Sequence, residues 1–278
     1  MIACAVLPHR VGDGPSNMGL DEALLNAVSL DPSKAFIRTY GWSVPTLSLG
    51  YFQSIDQAAS SLRWGSVPIV RRPTGGGALW HHHEVTYTVV IPKIHPLARR
   101  TTDLYRAVHS AIASIFITTG IAAVRRREAE TRGSESDKPF LCFSDCDAED
   151  VVVGRVKLVG SAQRRRVGAI LQHGATLLSQ SKTTPEHLGA ADLGCNDVRP
   201  ASWAERLRLA LPEALGLVGI ETVLDPVIQA DADRLADDLV GLVGIFDRAG
   251  ELDRILDHRL LPDELDAAAA DAPLGDAG

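Results

Sequence analysis

Arg71-Arg72-Pro73-Thr74-Gly75-Gly76-Gly77-Ala78-Leu79-Trp80-His81 is the stretch on which the reading of this chain turns. An apolar run, Val67 to Val70, leads into it, and Thr86-Tyr87-Thr88-Val89-Val90-Ile91 beyond it reads as a strand. Three successive glycines between strands are costly, because glycine loses more backbone freedom on folding than any other residue. A chain tolerates that where its backbone turns sharply or lets a ligand approach. With two guanidiniums at the entrance, the expected ligand carries an anionic or strongly polar group. The plainer alternative is a Gly-rich hairpin turn with surface arginines. Neither the glycine spacing nor a following Lys-Ser/Thr fits a dinucleotide or phosphate-loop fingerprint.

The 278 residues are 45% hydrophobic and 23% charged, with a formal net charge of −7. That is ordinary globular composition, and the length allows one large domain or a core domain with an appendage. The acidic balance argues against general nucleic-acid binding, although positive charge gathers at Arg125 to Arg127 and Arg164 to Arg166. No apolar run approaches the ~20 residues a membrane helix needs. The start, Met1 to Pro8, is too short for a signal peptide and lacks its charged opening. Cys4, Cys142, Cys146 and Cys195 are too few and too scattered for a disulfide scaffold. A soluble, monomeric cytoplasmic protein with reduced thiols is expected, binding neither nucleic acid nor membrane.

Around the glycines the chain reads as strands and then helices. Leu20, Leu24, Ala27 and Val28 recur at helical spacing, with Asp21 and Glu22 expected in the first turn, where the helix dipole favours acid. Phe36 to Tyr40 and Thr46 to Tyr51 read as strands joined by a turn at Gly41 to Pro45. Thr102-Asp103 is expected to cap a helix striped by Leu104, Val108, Ala111, Ile112 and Ile115 and stopped at Gly120. Arg125 to Lys138, charged and nearly without apolar residues, reads as a mobile loop. Val151 to Gly160 has the form of a hairpin around Gly154-Arg155, and the meander continues through Ser161-Ala162-Gln163 and Ala169 to His173 as far as Leu178. Ser202 and Glu205 form a capping-box pattern before Leu207 and Leu211. Leu235, Leu239, Leu242 and Phe246 form a later stripe, and the Ala/Asp-rich tail after Pro262 is expected to fray. Strands followed by helices point to an α+β fold with a mixed sheet.

These residues carry a resemblance. Arg71 to Ala78 with His81 resembles the signature of the lipoate–protein ligase, octanoyltransferase and biotin–protein ligase superfamily. Gly154-Arg155-Val156-Lys157-Leu158-Val159-Gly160-Ser161-Ala162-Gln163, followed by Leu171-Gln172-His173-Gly174, resembles its second signature. Asn17 to Leu25 and Ser48 to Gln53 resemble two weaker ones, in family order, so that the likeness covers Pro15 to Leu178. Glu84-Val85-Thr86-Tyr87-Thr88-Val89 and the Cys142-Phe143 pair upstream of Lys157 are similar to the LipM-type octanoyltransferase branch. Gly77 departs from that branch, which often has arginine there, and His82 stands where an aspartate is usual. The resemblance implies a ligase-like catalytic domain over residues 1–220, with mostly antiparallel sheets flanked by helices. Residues 221–278 then form a helical extension rather than an independent domain.

The implied activity moves an octanoyl group from acyl carrier protein to a lysine of a lipoyl-bearing protein, typically the glycine cleavage H protein or the lipoyl domain of a 2-oxoacid dehydrogenase. Cys142 is the implied nucleophile and Lys157 its partner. Such chemistry needs a thiolate, and a nearby ammonium favours the charged form. Lys157 would also bond the acyl carbonyl as charge develops, with backbone N–H groups of Gly75 to Gly77 or Ser161-Ala162 completing the site. The implied substrate pocket takes Arg72, Gly75, Gly76, Gly77, Ala78, Leu79 and His81 from the first signature, and Gly160, Ser161, Ala162 and His173 from the second. Leu79, Trp80, Tyr87 and Val159 are candidates for an apolar slot. His81 and His173 both stand as bases for the acceptor lysine, and Cys146 as a rival nucleophile. Arg164 to Arg166 suit an acidic carrier protein. No metal site is expected at His81-His82-His83, because adjacent strand side chains point to opposite faces. The transferase needs no cofactor. The alternatives are a lipoate–protein ligase, which Gly77 favours and which uses ATP and Mg²⁺, an amidotransferase moving lipoyl or octanoyl groups between proteins, and a non-catalytic acyl-binding protein.

Overall fold

Two sheets carry the molecule, and the larger is covered on both faces. The structure is a computed structural model describing residues 2–128, 139–145 and 147–243. Its elements begin with strands β1 (Ala3–Val6) and β2 (Arg10–Gly12), helix α1 (Gly14–Leu30), strands β3 (Phe36–Trp42) and β4 (Thr46–Leu49), and a short helix α2 (Asp56–Ala59). Strands β5 (Ile69–Arg71), β6 (Leu79–His81) and β7 (Glu84–Pro92) precede helix α3 (Thr101–Thr118) and strand β8 (Val124–Arg125). Strands β9 (Val151–Val153), β10 (Val156–Arg165) and β11 (Ala169–Leu177) follow, then helix α4 (Pro200–Ala214), strand β12 (Val218–Glu221) and helix α5 (Pro226–Val243). The large sheet runs β12-β1-β3-β7-β11-β10-β9-β8, with β2 beside β3, and the small one runs β5-β4-β6. The β3-β7-β11-β10-β9-β8 run is antiparallel throughout, while β1 pairs in parallel with both β12 and β3.

Every residue of β7 and β11 is buried, so neither strand shows the polar alternation of a half-exposed sheet. Alternation survives as a choice of layer. Val89 and Ile91 pack with Leu104, Val108 and Ile112 of α3 and Trp203, Leu207 and Leu211 of α4. Val90, between them, packs with Leu24, Leu25 and Val28 of α1 and Ile228 and Ala232 of α5. The two faces therefore bury separate cores, as a period of two requires. The first compact unit runs to Leu239 and takes in most of α5. Phe246 and the tail after Pro262 lie outside the described residues.

Three expectations about helix starts differ from the structure. Helix α1 starts at Gly14, with the Asp13 carboxylate accepting from the Ser16 N–H at 2.9 Å. Asp21 and Glu22 therefore stand turns beyond the start, away from the dipole. Helix α3 begins at Thr101 with no side-chain cap. Helix α4 opens with Pro200 at its first position, and Ser202 donates to the Asp197 carboxylate at 2.6 Å instead of capping. The described part of the charged run is ordered: Val124–Arg125 pairs with β9, and Arg125 donates to Glu149 at 2.9 Å. Residues 129–138 lie outside the described residues.

Candidate active site

Cys142 opens a single 3₁₀ turn, Cys142–Ser144, in a segment laid parallel to the end of the glycine loop. The Ala78 N–H donates to the Phe140 carbonyl at 2.7 Å, and the Cys142 N–H donates to the Ala78 carbonyl at 2.8 Å. Gly77 permits this contact. A Cβ there would stand 3.0 Å from both the Cys142 nitrogen and the Phe140 oxygen, so the triple glycine serves as a seat for the cysteine segment.

Lys157 reaches the same point from β10. The pairing of β10 with β9 shifts register between Lys157 and Val159, a bulge of the kind that re-aims a side chain. Its Nζ lies 3.8 Å from Cys142 Sγ and donates to the carbonyls of Cys142 and Asp145, both at 3.1 Å. It also pairs with Asp150 Oδ2 at 2.8 Å, the two side chains being 6% and 5% exposed. Asp150 is fixed in turn by the Asp147 N–H at 2.6 Å. Gly160 leaves room for the lysine, since a Cβ there would stand 2.6 Å from Lys157 Cε.

Beneath the loop lies a buried polar chain. His173 Nδ1 is 2.8 Å from Asp21 Oδ2, and its Nε2 is 2.7 Å from Thr74 Oγ1. Asp21 also accepts from Thr88 at 2.7 Å and Tyr40 at 3.1 Å and lies 3.6 Å from Arg38 Nε. Burial works against the Asp21 charge, yet Arg38, His173 and Thr88 hold its carboxyl below the ordinary value. Burial also pushes the His173 ring down, against the pull of Asp21. Arg72 spends its whole fork on the protein: Nε on Thr74, Nη1 on Ser48, and Nη2 on the carbonyls of Gly75 and Gly77 at 2.8 and 2.7 Å. This corrects the expectation of a guanidinium aimed at an anionic ligand. With all five donors engaged, Arg72 clamps the glycine loop. Arg71 likewise donates to the carbonyls of Gly50, Tyr51 and Gln53.

Cys142, Phe143, Arg72, Leu79, His81, Gly160, Ser161, Ala162 and His173 all border one cavity. Lys157, Gly75, Gly76, Gly77 and Ala78 stand outside its lining; Gly77, Ala78 and Lys157 support Cys142 from behind. The apolar wall differs from expectation. Leu79 is joined by Met18, Tyr40 and Ala175, whereas Tyr87 and Val159 face the α3 core and Trp80 packs with Leu47 and Trp64. The histidines proposed as bases are both doubly bonded. His81 sits between Glu84 at 2.5 Å and Ser48 at 2.8 Å, and His173 between Asp21 and Thr74. His82 and His83 stack on each other at 3.5 Å, past the end of β6, so they share a side, unlike neighbours in a strand. Arg164 to Arg166 split three ways: over the Tyr51 ring, to the Ala98 carbonyl and to Glu22. Cys146 lies outside the described residues.

The lipoyl protein ligase A/B catalytic domain family matches residues 13–192, which takes in the glycine loop, Cys142, Lys157 and His173. The chain belongs to that family. As a lipoyl protein ligase A/B domain it is 39% identical over 168 residues to an octanoyltransferase LipM of Anoxybacillus flavithermus, a match covering 58% of this chain and 60% of the relative's length. An octanoyltransferase LipM of Lysinibacillus sphaericus is 34% identical over 221 residues, 77% of each chain. A candidate lipoate protein ligase from T. acidophilum, solved with bound lipoic acid, superposes with a TM-score of 0.67 at 21% identity, covering 85% of this chain and 95% of that one.

In this ligase-family domain, the reading by motif missed Asp150, the hub role of Asp21, and His109. His109 of α3 is buried and bonds the Glu149 carbonyl at 2.6 Å and Ser161 at 2.6 Å. A carbonyl only accepts, so Nδ1 carries the proton and holds Glu149, the neighbour of Asp150, in place. Ser161 is closed from its other side by the Tyr87 hydroxyl at 2.5 Å. Among the described residues no group of three or more His, Cys, Asp or Glu could hold a metal ion, and no helix is long and apolar enough to cross a membrane.

Proposed function

We propose that the chain is a cytoplasmic octanoyltransferase of lipoate biosynthesis. It takes an octanoyl group from acyl carrier protein onto Cys142 and passes it to a lysine of a lipoyl-bearing protein such as the glycine cleavage H protein. The observation that carries this reading is the Cys142 thiol set 3.8 Å from a buried ammonium on the wall of an apolar cavity. The names of the relatives support it. The Cys142 thiolate attacks the thioester carbonyl, the carrier's thiolate leaves, and an enzyme thioester forms. Thioester exchanges for thioester at little free-energy cost, so the step needs no ATP or other cofactor. The acceptor amine then attacks that carbonyl, the carbon–sulfur bond breaks as the amide forms, and the proton shed by the nitrogen balances the Cys142 thiolate that leaves. Lys157 stays beside the sulfur as it gains and loses charge. Cys142 and Lys157 both lie within residues 1–220, to which catalysis is assigned.

The feature favouring an ATP-dependent lipoate–protein ligase is Gly77, and the Cys142 segment seated on it gives that glycine a separate reason. Intact-mass measurement after incubation with octanoyl carrier protein tests the choice. A hydroxylamine-labile octanoyl adduct is expected, lost in Cys142→Ala and kept in Cys146→Ala. Labelling of H protein by free lipoate and ATP, unchanged in Cys142→Ala, would replace the transferase by the ligase. An adduct formed from octanoylated H protein instead of the carrier would make it an amidotransferase. Neither adduct nor labelling would leave a binding protein.

A further inference from the structure

Where β7 ends and β10 turns into β11, the large sheet carries positive charge that the acyl-transfer chemistry leaves unused. Two segments meet there: the Lys93 N–H donates to the Gly168 carbonyl at 2.9 Å, and Arg165 donates to the Ala98 carbonyl at 2.6 Å. Neither segment, 93–102 or 163–168, contains an acid. Lys93, Arg99 and Arg100 are exposed and Arg165 is half-buried. None of the four forms an ion pair among the described residues, while the adjoining acids Glu22 and Asp103 pair with Arg166 and Arg106. Ile94 and Val167 stand among these cations, 73% and 95% exposed.

On a chain of net charge −7, four unmatched cations in one place reverse the local sign, and such a surface attracts and orients an acidic partner. The exposed aliphatic side chains add contact area from which a partner excludes water. Position along β10 decides which partner this is. Gly160 stands at the reactive pair, since a Cβ there would lie 3.0 Å from Lys157 Nζ. Arg165 ends the same strand, about 17 Å further on at ~3.3 Å per residue. Between them Ala162 lines the acyl cavity and Arg164 lies over the Tyr51 ring at 4.7 Å. The acceptor's lysine side chain is far shorter than that span, whereas an acyl group on a flexible prosthetic arm covers it. We propose that Lys93, Arg99, Arg100 and Arg165, with Ile94 and Val167, form the docking surface of the acyl donor, a small acidic carrier protein bearing its thioester on such an arm. This rests on the octanoyltransferase reading and adds where the donor sits.

Titrating unacylated acyl carrier protein, its prosthetic arm in place, into the full chain reads docking without chemistry. Arg99→Glu/Arg100→Glu is expected to weaken binding at least about tenfold, and to flatten the loss of affinity that the wild type shows between about 50 and about 300 mM salt. Arg155→Glu/Lys182→Glu makes the same change in net charge at exposed positions away from this surface, before β10 and after β11, and is expected to bind as the wild type does. Intact-mass kinetics then separates donor from acceptor. The Arg99/Arg100 variant should raise KM for octanoyl carrier protein with kcat held. It should also acylate at the wild-type rate from octanoyl-N-acetylcysteamine, a small uncharged thioester, and pass octanoyl to H protein unchanged. No saturable carrier binding by the wild type, equal binding by the Arg99/Arg100 variant, equal weakening in the Arg155/Lys182 control, or a defect confined to H protein would each overturn the proposal. A wild type that binds carrier through this surface yet forms no adduct would end the transferase reading and leave the docking surface standing.

Discussion

Replacing Lys157 by methionine asks two separate questions of the site, and a double variant separates the answers. At 2.8 Å from Asp150, the ammonium and carboxylate attract by about 6 kcal/mol at an effective dielectric of ~20. Desolvating two side chains that are 6% and 5% exposed offsets much of that. The measurable quantity is therefore the cost of leaving one charge alone, about 3–5 kcal/mol. Lys157→Met also deletes the bonds to the Cys142 and Asp145 carbonyls, so the cysteine turn loses its tether. At about 2–4 °C per kcal/mol for a unit of this size, the melting temperature falls on the order of 10 °C. Asp150→Leu takes the carboxylate from the ammonium and falls similarly. The double variant, with neither charge, recovers most of the loss. It still forms octanoyl adduct far more slowly than the wild type, because no cation stands 3.8 Å from the sulfur. Differential scanning fluorimetry and time-resolved intact mass read the two effects. A Lys157→Met protein melting within about 2 °C of the wild type, or a double variant less stable than either single one, would refute the pairing argument. Adduct formation by the double variant at the wild-type rate would refute the catalytic one.

Burial lowers the His109 and His173 rings from an ordinary value of 6.5. A lowered folded value means the folded state binds fewer protons, so their contribution is full above 6.5 and is lost as pH falls below it. The melting temperature should drop as pH falls below 6.5, and His109→Gln should flatten part of that slope. Asp21, held below its ordinary 3.8, stabilises above that value and ceases to as pH falls through the folded one. Asp21→Asn should therefore cost most near neutrality and least in acid, which urea midpoints across pH would show. Gly77→Ala forces the Cys142 segment back from a 3.0 Å approach. Octanoyl-adduct formation should slow by about tenfold or more while stability drops by about 1–3 kcal/mol, and an unchanged acylation rate would remove the glycine's assigned role.

How far the sequence reaches is clearest from its acids. Asp145, Asp147, Glu149 and Asp150 stand close together in the sequence, and Glu149 and Asp150 are buried. Each is buried because a cation from another element meets it, Arg125 of β8 and Lys157 of β10, and periodicity along one segment carries no trace of such a partner. Asp21 misleads in the same way. Read as the first turn of a helix it suits a dipole, but Asp13 and Pro15 already mark an earlier start, which leaves Asp21 facing Thr88 and His173. Those two stand opposite each other across β7 and β11, with Ala162 next in the row. The adjacent row, Tyr87, Gly174 and Ser161, belongs to the other face, where His109 waits. The family resemblance singles out Cys142, Lys157 and His173, and the structure sets Lys157 3.8 Å from the Cys142 sulfur and His173 on the same cavity as Cys142. What the resemblance cannot find is which face of the sheet a residue joins, since that follows from register, and register is settled only when β7, β10 and β11 pair. The two buried histidines are thus one device built twice: each is locked between an acceptor on its own side and a hydroxyl, and the sheet between them fixes both the glycine loop and the Glu149–Asp150 corner against which the thiol and the ammonium meet.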